Sequence, residues 1–487
     1  LRIKISIEES LKTLHGLCPK TCITSARERA IYEEFFIEQF KIRVRKNRKK
    51  MMLLKLYENL NLKNYVEVFQ RCLPFDLTEE QLRSVKEIIY DLNSQKPMMR
   101  MLQGDVGCGK TIIAFAVIKS IIMSDHQAAI MCPTEVLAKQ HYKSALDLFP
   151  FKDVCLLTSS TKDRDLILSK ISDSTYKLVI GTHSLIQDSV CFSKLCLVVI
   201  DEQHKFGVQQ RIKLTKKAKI PNTLLMSATP IPRSLCLTHY GDLDMTVIKE
   251  KPKGRKKVSS KIVNSNNFQD FLNFLLTRVK MSEQVYVVVP AIEDNEFQDI
   301  ENIQNVFNFF QKTFPDRKVE SIHGRQPLTE KEITLNKFYQ NKVDFLISTS
   351  VIEVGVDHPN ATVMCIFGPE RFGLSSLHQL RGRVGRGSKP GFFFMVEDKK
   401  LSQVSASRLK LLEDCHDGFQ IAEEDLKIRG EGNLVGNEQS GAVNRKIACV
   451  NKHKKILETV IEDIKSFDFE THSNNGYQNF EEVIFTI

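Results

Sequence analysis

Gly104, Asp105, Val106, Gly107, Cys108, Gly109, Lys110 and Thr111 read G-x-x-x-x-G-K-T, the spacing of a phosphate-binding loop. Glycines at 104, 107 and 109 permit a tight turn whose N–H groups aim inward at phosphate oxygens. The Lys110 ammonium can reach β- and γ-phosphates, and the Thr111 hydroxyl can ligate Mg²⁺. Downstream, Asp201-Glu202-Gln203-His204 follows an apolar run. Asp201 can hold Mg²⁺, usually through water, and Glu202 can orient and activate an attacking water. His204 alone is a weak signal, but as the last letter of this box it can couple the nucleotide to Ser227-Ala228-Thr229. A third group lies in Gln379-Leu380-Arg381-Gly382-Arg383-Val384-Gly385-Arg386. Arg383 and Arg386, three apart on one helical face, would supply the cations that phosphoryl transfer needs as charge builds on the γ-phosphate oxygens. Arg381 reads as a nucleic-acid contact beside them.

These residues need a strand, a loop and a helix in the right order. Met98 to Leu102 reads as a short buried strand, and Ile112 to Met123 as a helix packed against a sheet. The helix brings its positive end to the loop. From about 74 to 250, short apolar strands alternate with helical segments. The strands are Ala128 to Cys132, Val154 to Leu157, Leu178 to Ile180, Leu195 to Ile200 and Thr223 to Met226. That pattern predicts a doubly wound parallel sheet with ligands at the C-terminal strand edges. Lys249 to Lys257 reads as a basic linker. A second alternating unit, about 258 to 397, has strands Gln284 to Val289, Lys318 to Ile322, Phe345 to Ser348, Thr362 to Phe367 and Gly391 to Val396. It has no phosphate loop of its own. The remainder is helical, then glycine-rich from Gly430 to Gly441.

Residues 1–50 look helical and carry 13 Lys and Arg against 6 Asp and Glu. Ser25-x-x-Glu28 fits a capping box opening a helix through Tyr32, Phe35, Phe36 and Phe40. The cationic run Lys41 to Lys50 is either a solvated helix face or a phosphate-contacting strut. The whole chain, 487 residues with net charge +11 and pI near 8.9, favours a polyanionic partner without choosing among DNA, RNA and membrane. No apolar run reaches the ~18 residues of a membrane span. Twelve cysteines are scattered; neither Cys18/Cys22 nor Cys191/Cys196 has a second pair at zinc-ligand spacing, so reduced thiols and a cytoplasmic setting are expected.

Phosphate loop, DEQH, SAT and QxxGRxGR in this order resemble the superfamily 2 helicases and translocases. The finer resemblance is to the RecG family, carried by Asp201 through Val208, Ser227 through Arg233, Tyr240 through Asp244, Val351 through Asp357 and Arg371 through Gly387. It covers about Leu73 to Gly441. It implies two RecA-like doubly wound parallel-sheet domains with a helical N-terminal link and a C-terminal helical hairpin. The corresponding divisions are 1–72, 73–250, 251–400 and 401–487.

The resemblance further implies ATP with Mg²⁺, a 3′–5′ helicase on branched DNA, fork reversal and Holliday-junction branch migration. Single-strand-binding protein is a further implied partner, and the expected form is a monomer, bacterial, cytoplasmic and nucleoid-associated. Pro74 through Gln81 resembles the family's adenine-reading segment, with Phe75 against the base and Gln81 on its edge. Thr78-x-x-Gln81 is also a capping box, and both geometries can coexist. Thr134, Thr182 and Thr349 lie at strand ends, where similar proteins hold the DNA backbone, although helix caps and turns use the same residues. Arg408, Arg429 and Gln439 resemble the family's translocation motif.

Two departures stand out. Gly430-Glu431-Gly432 replaces the family's Gly-Pro-Gly. The N-terminal OB-fold wedge has no counterpart, so a fragment or a wedge-less form is expected. The alternatives are a transcription–repair coupling translocase, which usually carries DEEH where Gln203 stands here, and a non-catalytic DNA-binding remnant.

Overall fold

Short, mostly buried apolar runs separated by helices favour parallel pairing through crossovers, and two such sheets form. The computed structural model describes residues 5–17, 22–54, 66–94, 97–218, 222–228, 243–250, 257–290, 296–349, 358–385, 387, 389–397, 401–429, 447–449 and 452–466. The first sheet contains β1 (Met99–Gly104), β2 (Gln127–Met131), β3 (Val154–Leu157), β4 (Leu178–Gly181), β5 (Leu195–Ile200), β6 (Asn222–Ser227) and β7 (Asp244–Ile248). Their order is β3-β4-β2-β5-β6-β1-β7. The second contains β8 (Ser259–Val263), β9 (Gln284–Val288), β10 (Val319–Ile322), β11 (Phe345–Ser348), β12 (Ala361–Phe367) and β13 (Phe392–Val396), in the order β10-β11-β9-β12-β13-β8. The expected fold class is therefore what the chain adopts. β7 and β8 escape a reading of apolar runs because each mixes buried positions with half-buried and exposed ones.

Helices α3 (Val66–Gln70), α4 (Glu79–Leu92), α5 (Lys110–Met123), α6 (Glu135–Leu146), α7 (Arg164–Ser172) and α8 (Val208–Thr215) accompany the first sheet. Helices α9 (Phe268–Lys280), α10 (Glu296–Thr313), α11 (Leu328–Tyr339) and α12 (Leu374–Arg381) accompany the second. α5 is apolar almost all round and correspondingly buried, with Ile113, Phe115, Val117, Ile118 and Ile121 fully enclosed. A helix so enclosed holds the phosphate loop at its N-terminus on a rigid support.

The two sheets share a device that no repeat in the sequence announces. Each has a strand opening on a buried glutamine. The Gln127 amide donates to Ile171 O (2.8 Å) and Tyr176 O (2.9 Å) and accepts from Lys194 N (3.0 Å). Gln284 donates to Phe338 O (2.8 Å) and Val343 O (2.7 Å), and its oxygen meets His358 Nε2 at 2.5 Å. Both tie the start of β2 or β9 to a helix end and the loop beyond it, Ile171 and Tyr176 in one sheet, Phe338 and Val343 in the other.

Asp125, in the left-handed turn between α5 and β2 (φ +60°), pairs with Lys177 and Lys194. Their hydrogen bonds pull its carboxyl pKa down to about 2. A depressed carboxylate stabilises above its unfolded value, about 4, and loses that contribution as pH falls through the folded value. Because the pair is exposed, Asp125→Asn should cost only about 0.5 kcal/mol at neutral pH. Urea titrations of variant and parent should converge near the lower value.

The chain divides into two compact units. One is Asn59–Pro230 with Met245–Ile428, which contains both sheets apart from Asp244. The other combines Leu1–Glu58, Ile231–Asp244 and Arg429–Ile487. In this second unit α1 (Ile7–Leu14), α2 (Ile23–Leu54) and α15 (Lys454–Ser466) are described. Tyr32, Phe35 and Phe40 of α2 pack with Leu457, Val460 and Ile464 of α15. Tyr32 Oη donates to Asp463 Oδ2 at 2.6 Å, and Glu34 accepts from Ile447 N (3.1 Å) and Ala448 N (2.7 Å). Ser25 does not cap α2. The helix opens earlier, with Ala26 N already bonded to Cys22 O at 3.0 Å, which places Ser25 inside the first turn.

Candidate functional site

Strand register assembles the site. Gln103 of β1 pairs with Ser227 of β6, and Ile200 of β5 pairs with both Met131 of β2 and Leu225 of β6. Gly104, Asp201 and Ala228 therefore leave neighbouring strand ends together. This is the C-terminal edge where parallel sheets bind ligands.

The phosphate loop has the backbone its glycines allow: φ is +77° at Gly107 and +90° at Gly109. A Cβ at Gly109 would come within 2.3 Å of Gln81 Nε2. No side chain caps α5, so its first-turn N–H groups are available to an anion. Lys110 is buried and folds back on the loop, its Nζ donating to Gly104 O (2.8 Å) and Asp105 O (3.0 Å). Burial raises the Cys108 thiol above its ordinary range.

Thr78 and Gln81 form the capping box of α4. Thr78 N donates to Gln81 Oε1 (2.9 Å), and the same amide's Nε2 donates to Cys108 O (2.8 Å). Gln81 thus fastens the start of α4 to the phosphate loop. Phe75 is 51% exposed, leaving a ring face open.

Asp201 and Glu202 differ sharply. Burial opposes ionisation of Asp201, but the His141 hydrogen bond (Nε2 to Oδ2, 2.8 Å), together with the His141 and Lys110 charges, holds its carboxyl below the usual range. Glu202 is pushed up by burial and by the Asp201 charge, with Lys110, Ala228 N and Arg383 opposing. Glu202 also holds a left-handed backbone (φ +48°), an uncommon conformation for a non-glycine residue. His141, on α6, carries no local sequence signal. A lone histidine sixty positions upstream of its partner is found only once α6 and β5 are placed together. Its ring stands edge-on to Phe115.

From the second sheet, α12 reaches the loop. His378 Nε2 lies 2.6 Å from Asp105 Oδ1, and a Cβ at Gly382 would fall 2.6 Å from Val106 Cβ. α12 ends at Arg381; Arg383 lies in the following turn rather than on a helical face, and Arg386, expected beside it, lies outside the described residues. Arg383 is buried, and its charge acts on Glu202. Arg381 is not an exposed nucleic-acid contact. It is 4% exposed, and its guanidinium donates to Leu412 O (2.8 Å), Cys415 O (2.7 Å) and His378 Nδ1 (2.8 Å). A guanidinium can saturate inward-facing carbonyls this way, a choice that spacing alone does not reveal.

The Thr134 hydroxyl caps α6 through Leu137 N (3.3 Å), and Thr182 and Thr349 are buried. Helices α13 (Gln403–Asp414) and α14 (Gly418–Arg429) follow the second sheet. Arg408 of α13 donates to Phe372 O (3.1 Å) and faces Asp425 of α14 at 3.5 Å. Burial raises the Asp425 carboxyl, against the Arg408 charge. Arg429 is the last residue of α14. Arg386, Gln439, Thr229, residues 230–242, 351–357 and 430–446, and the side chains of His204, Arg429 and 45–50 lie outside the described residues. Among the described residues, all cysteines are free. No helix there is long and apolar enough to cross a membrane.

Two parallel sheets, one bearing a phosphate loop and the other laying a helix against it, are the plan of the superfamily 2 helicase motors, and the chain falls in that class. Family models match in the same order: DEAD/DEAH box helicase over residues 78–237, helicase conserved C-terminal domain over 266–388, and ATP-dependent DNA helicase RecG, domain 3, C-terminal, over 415–482. ATP-dependent DNA helicase RecG of Borreliella burgdorferi is 40% identical over 98% of the chain and 69% of its own length. That of Bacillus subtilis is 39% identical over 93% and 67%. A solved structure of RecG bound to a three-way DNA junction is 38% identical, with a TM-score of 0.71 over 90% of the chain and 57% of its own. The chain belongs to the RecG family of ATP-dependent DNA helicases.

Proposed function

We propose that the chain is an ATP-driven motor on branched double-stranded DNA that reverses forks and migrates Holliday junctions in recombination and repair. The observation that carries this reading is the meeting of α12 with the phosphate loop, His378 on Asp105 and Gly382 against Val106. A nucleotide at that loop is then touched from both sheets, so its turnover changes how they sit. The divisions of work are a helical link (1–72), an ATP-binding lobe (73–250), a second lobe (251–400) and a hairpin with its tail (401–487). The motor works as a monomer, in the cytoplasm on nucleoid DNA, with single-strand-binding protein as a further partner.

The donor set fits ATP with Mg²⁺. An uncapped helix N-terminus and left-handed glycines suit phosphate oxygens, and the Thr111 hydroxyl and the depressed Asp201 carboxylate are the hard oxygens that Mg²⁺ takes alongside phosphates and waters. Mg²⁺ there would neutralise charge on the β- and γ-phosphates. Lys110 exchanges its two loop carbonyls for phosphate oxygens. Glu202 takes up the proton of the attacking water, and Arg383 and Arg386 stabilise the charge that develops. Phe75 lies against the adenine, and His204 joins the site to Ser227 and Thr229. Thr134, Thr182 and Thr349 mark the loops that face the DNA backbone, while Arg408, Arg429 and Gln439 belong to the lever that moves along it.

Phosphate release by the purified chain should rise on adding three-way junction DNA, and junction affinity should fall at least about tenfold between 50 and 200 mM salt, because phosphates dominate such contacts. A release rate indifferent to DNA removes the motor reading.

A further inference from the structure

We propose that His378 is the positioning residue that passes the state of the phosphate loop to the C-terminal hairpin, with its neutral ring held between Asp105 and Arg381. The inference rests on the motor reading above and names the side chain through which its two ends communicate.

Asp105 Oδ1 accepts from Val106 N (2.7 Å) and lies 2.6 Å from His378 Nε2. His378 Nδ1 lies 2.8 Å from Arg381 Nη2, and Arg381 Nη1 donates to Leu412 O (2.8 Å) and Cys415 O (2.7 Å). Leu412 is in the last turn of α13, and Cys415 is its C-cap. An unbroken chain of short polar contacts thus runs from the phosphate loop through α12 to the turn of the hairpin. Asp105, His378 and Arg381 are each at most 7% exposed, so water does not compete for these contacts.

The proton positions follow from chemistry. A guanidinium has donors only. His378 Nδ1 must therefore accept, and the ring hydrogen sits on Nε2 and points at the Asp105 carboxylate. One donor face and one acceptor face are both used, and no other common tautomer or charge state serves both partners. Phe372 O, just ahead of α12, is also held by Arg408 of α13 (3.1 Å), which faces Asp425 of α14. The hairpin is thereby pinned to α12 at two places. A shift of Asp105 as phosphates enter or leave the loop is carried by the imidazole rather than absorbed by slack.

A role as simple glue between the sheets predicts lost stability with unchanged coupling. Coupling is read as third strands displaced from a DNA triplex per ATP hydrolysed by the full chain. His378→Leu removes both ring contacts. Displacement per ATP hydrolysed, which normalises for any change in hydrolysis itself, should fall at least about tenfold. His378→Gln keeps a donor and an acceptor on one amide and should retain at least about half of the parental ratio. Arg381→Lys, which loses the planar fork that spreads donors between His378 and the two carbonyls, should lower the ratio like His378→Leu, and it provides the test if the leucine variant fails to fold. A leucine variant with the parental ratio overturns the proposal, as does a glutamine variant as defective as the leucine one. A parent whose ATP turnover ignores DNA would instead sink the motor reading itself.

Discussion

Lys110→Ala should abolish ATP hydrolysis, with turnover down about 1,000-fold or more, while the protein keeps its fold. One positive group aimed at developing charge in an enclosed site is worth about that factor, or some 4 kcal/mol of activation free energy. Lys110 is suited to it. The side chain is held at the floor of the loop by Gly104 O and Asp105 O, and it needs to move only from carbonyl to phosphate oxygen. Alanine leaves those two carbonyls short of a donor, a loss of about 1–3 kcal/mol. That loss lies beside an enclosed helix whose apolar packing is untouched. Phosphate release and thermal melting on the same preparation separate the two effects. Turnover within tenfold of the parent means that the loop is not the hydrolytic site.

Glu202→Gln should lower turnover by about 10²–10⁴, the span expected for losing a positioned general base, with little change in the ATP concentration at half-saturation. The amide keeps the side-chain volume and can still accept from Ala228 N, which Glu202 Oε2 meets at 3.4 Å. It cannot take a proton. Burial and the Asp201 charge raise Glu202, which makes it the more basic of the two carboxylates, while the His141 bond keeps Asp201 ionised. Two adjacent carboxylates with opposite shifts have separate tasks. Single-turnover hydrolysis with nucleotide binding measured alongside checks this; weakened binding with unchanged turnover would exchange the roles of Asp201 and Glu202.

Much of the architecture was legible because apolar runs and glycine spacing are local. β3 and β5 begin and end where the apolar letters do, and the phosphate loop is contiguous. The loop, Asp201 and Glu202 were readable for the same reason. What could not be read depends on side chains meeting across the fold. Arg381 and Arg383 are two residues apart and equally cationic on paper. Yet the end of α12 turns one toward hairpin carbonyls and the other toward Glu202. His378 stood inside a recognised run without a role, because its partner Asp105 lies in the other sheet. His141 and the paired glutamines Gln127 and Gln284 belong to the same kind: single polar residues whose meaning is set by carbonyls and carboxylates far along the chain.

The packing of α2 on α15 bears on how the chain is made. Tyr32 and its aromatic neighbours leave the ribosome more than four hundred residues ahead of their partners Leu457, Val460, Ile464 and Asp463. At about 5–20 residues per second, α2 waits tens of seconds with these aromatic rings lacking their α15 partners. Both sheets have been synthesised by then. Cellular holdases that shield nascent apolar surface should therefore find this segment a standing client, and slowed translation of the codons between the two helices should lengthen their hold.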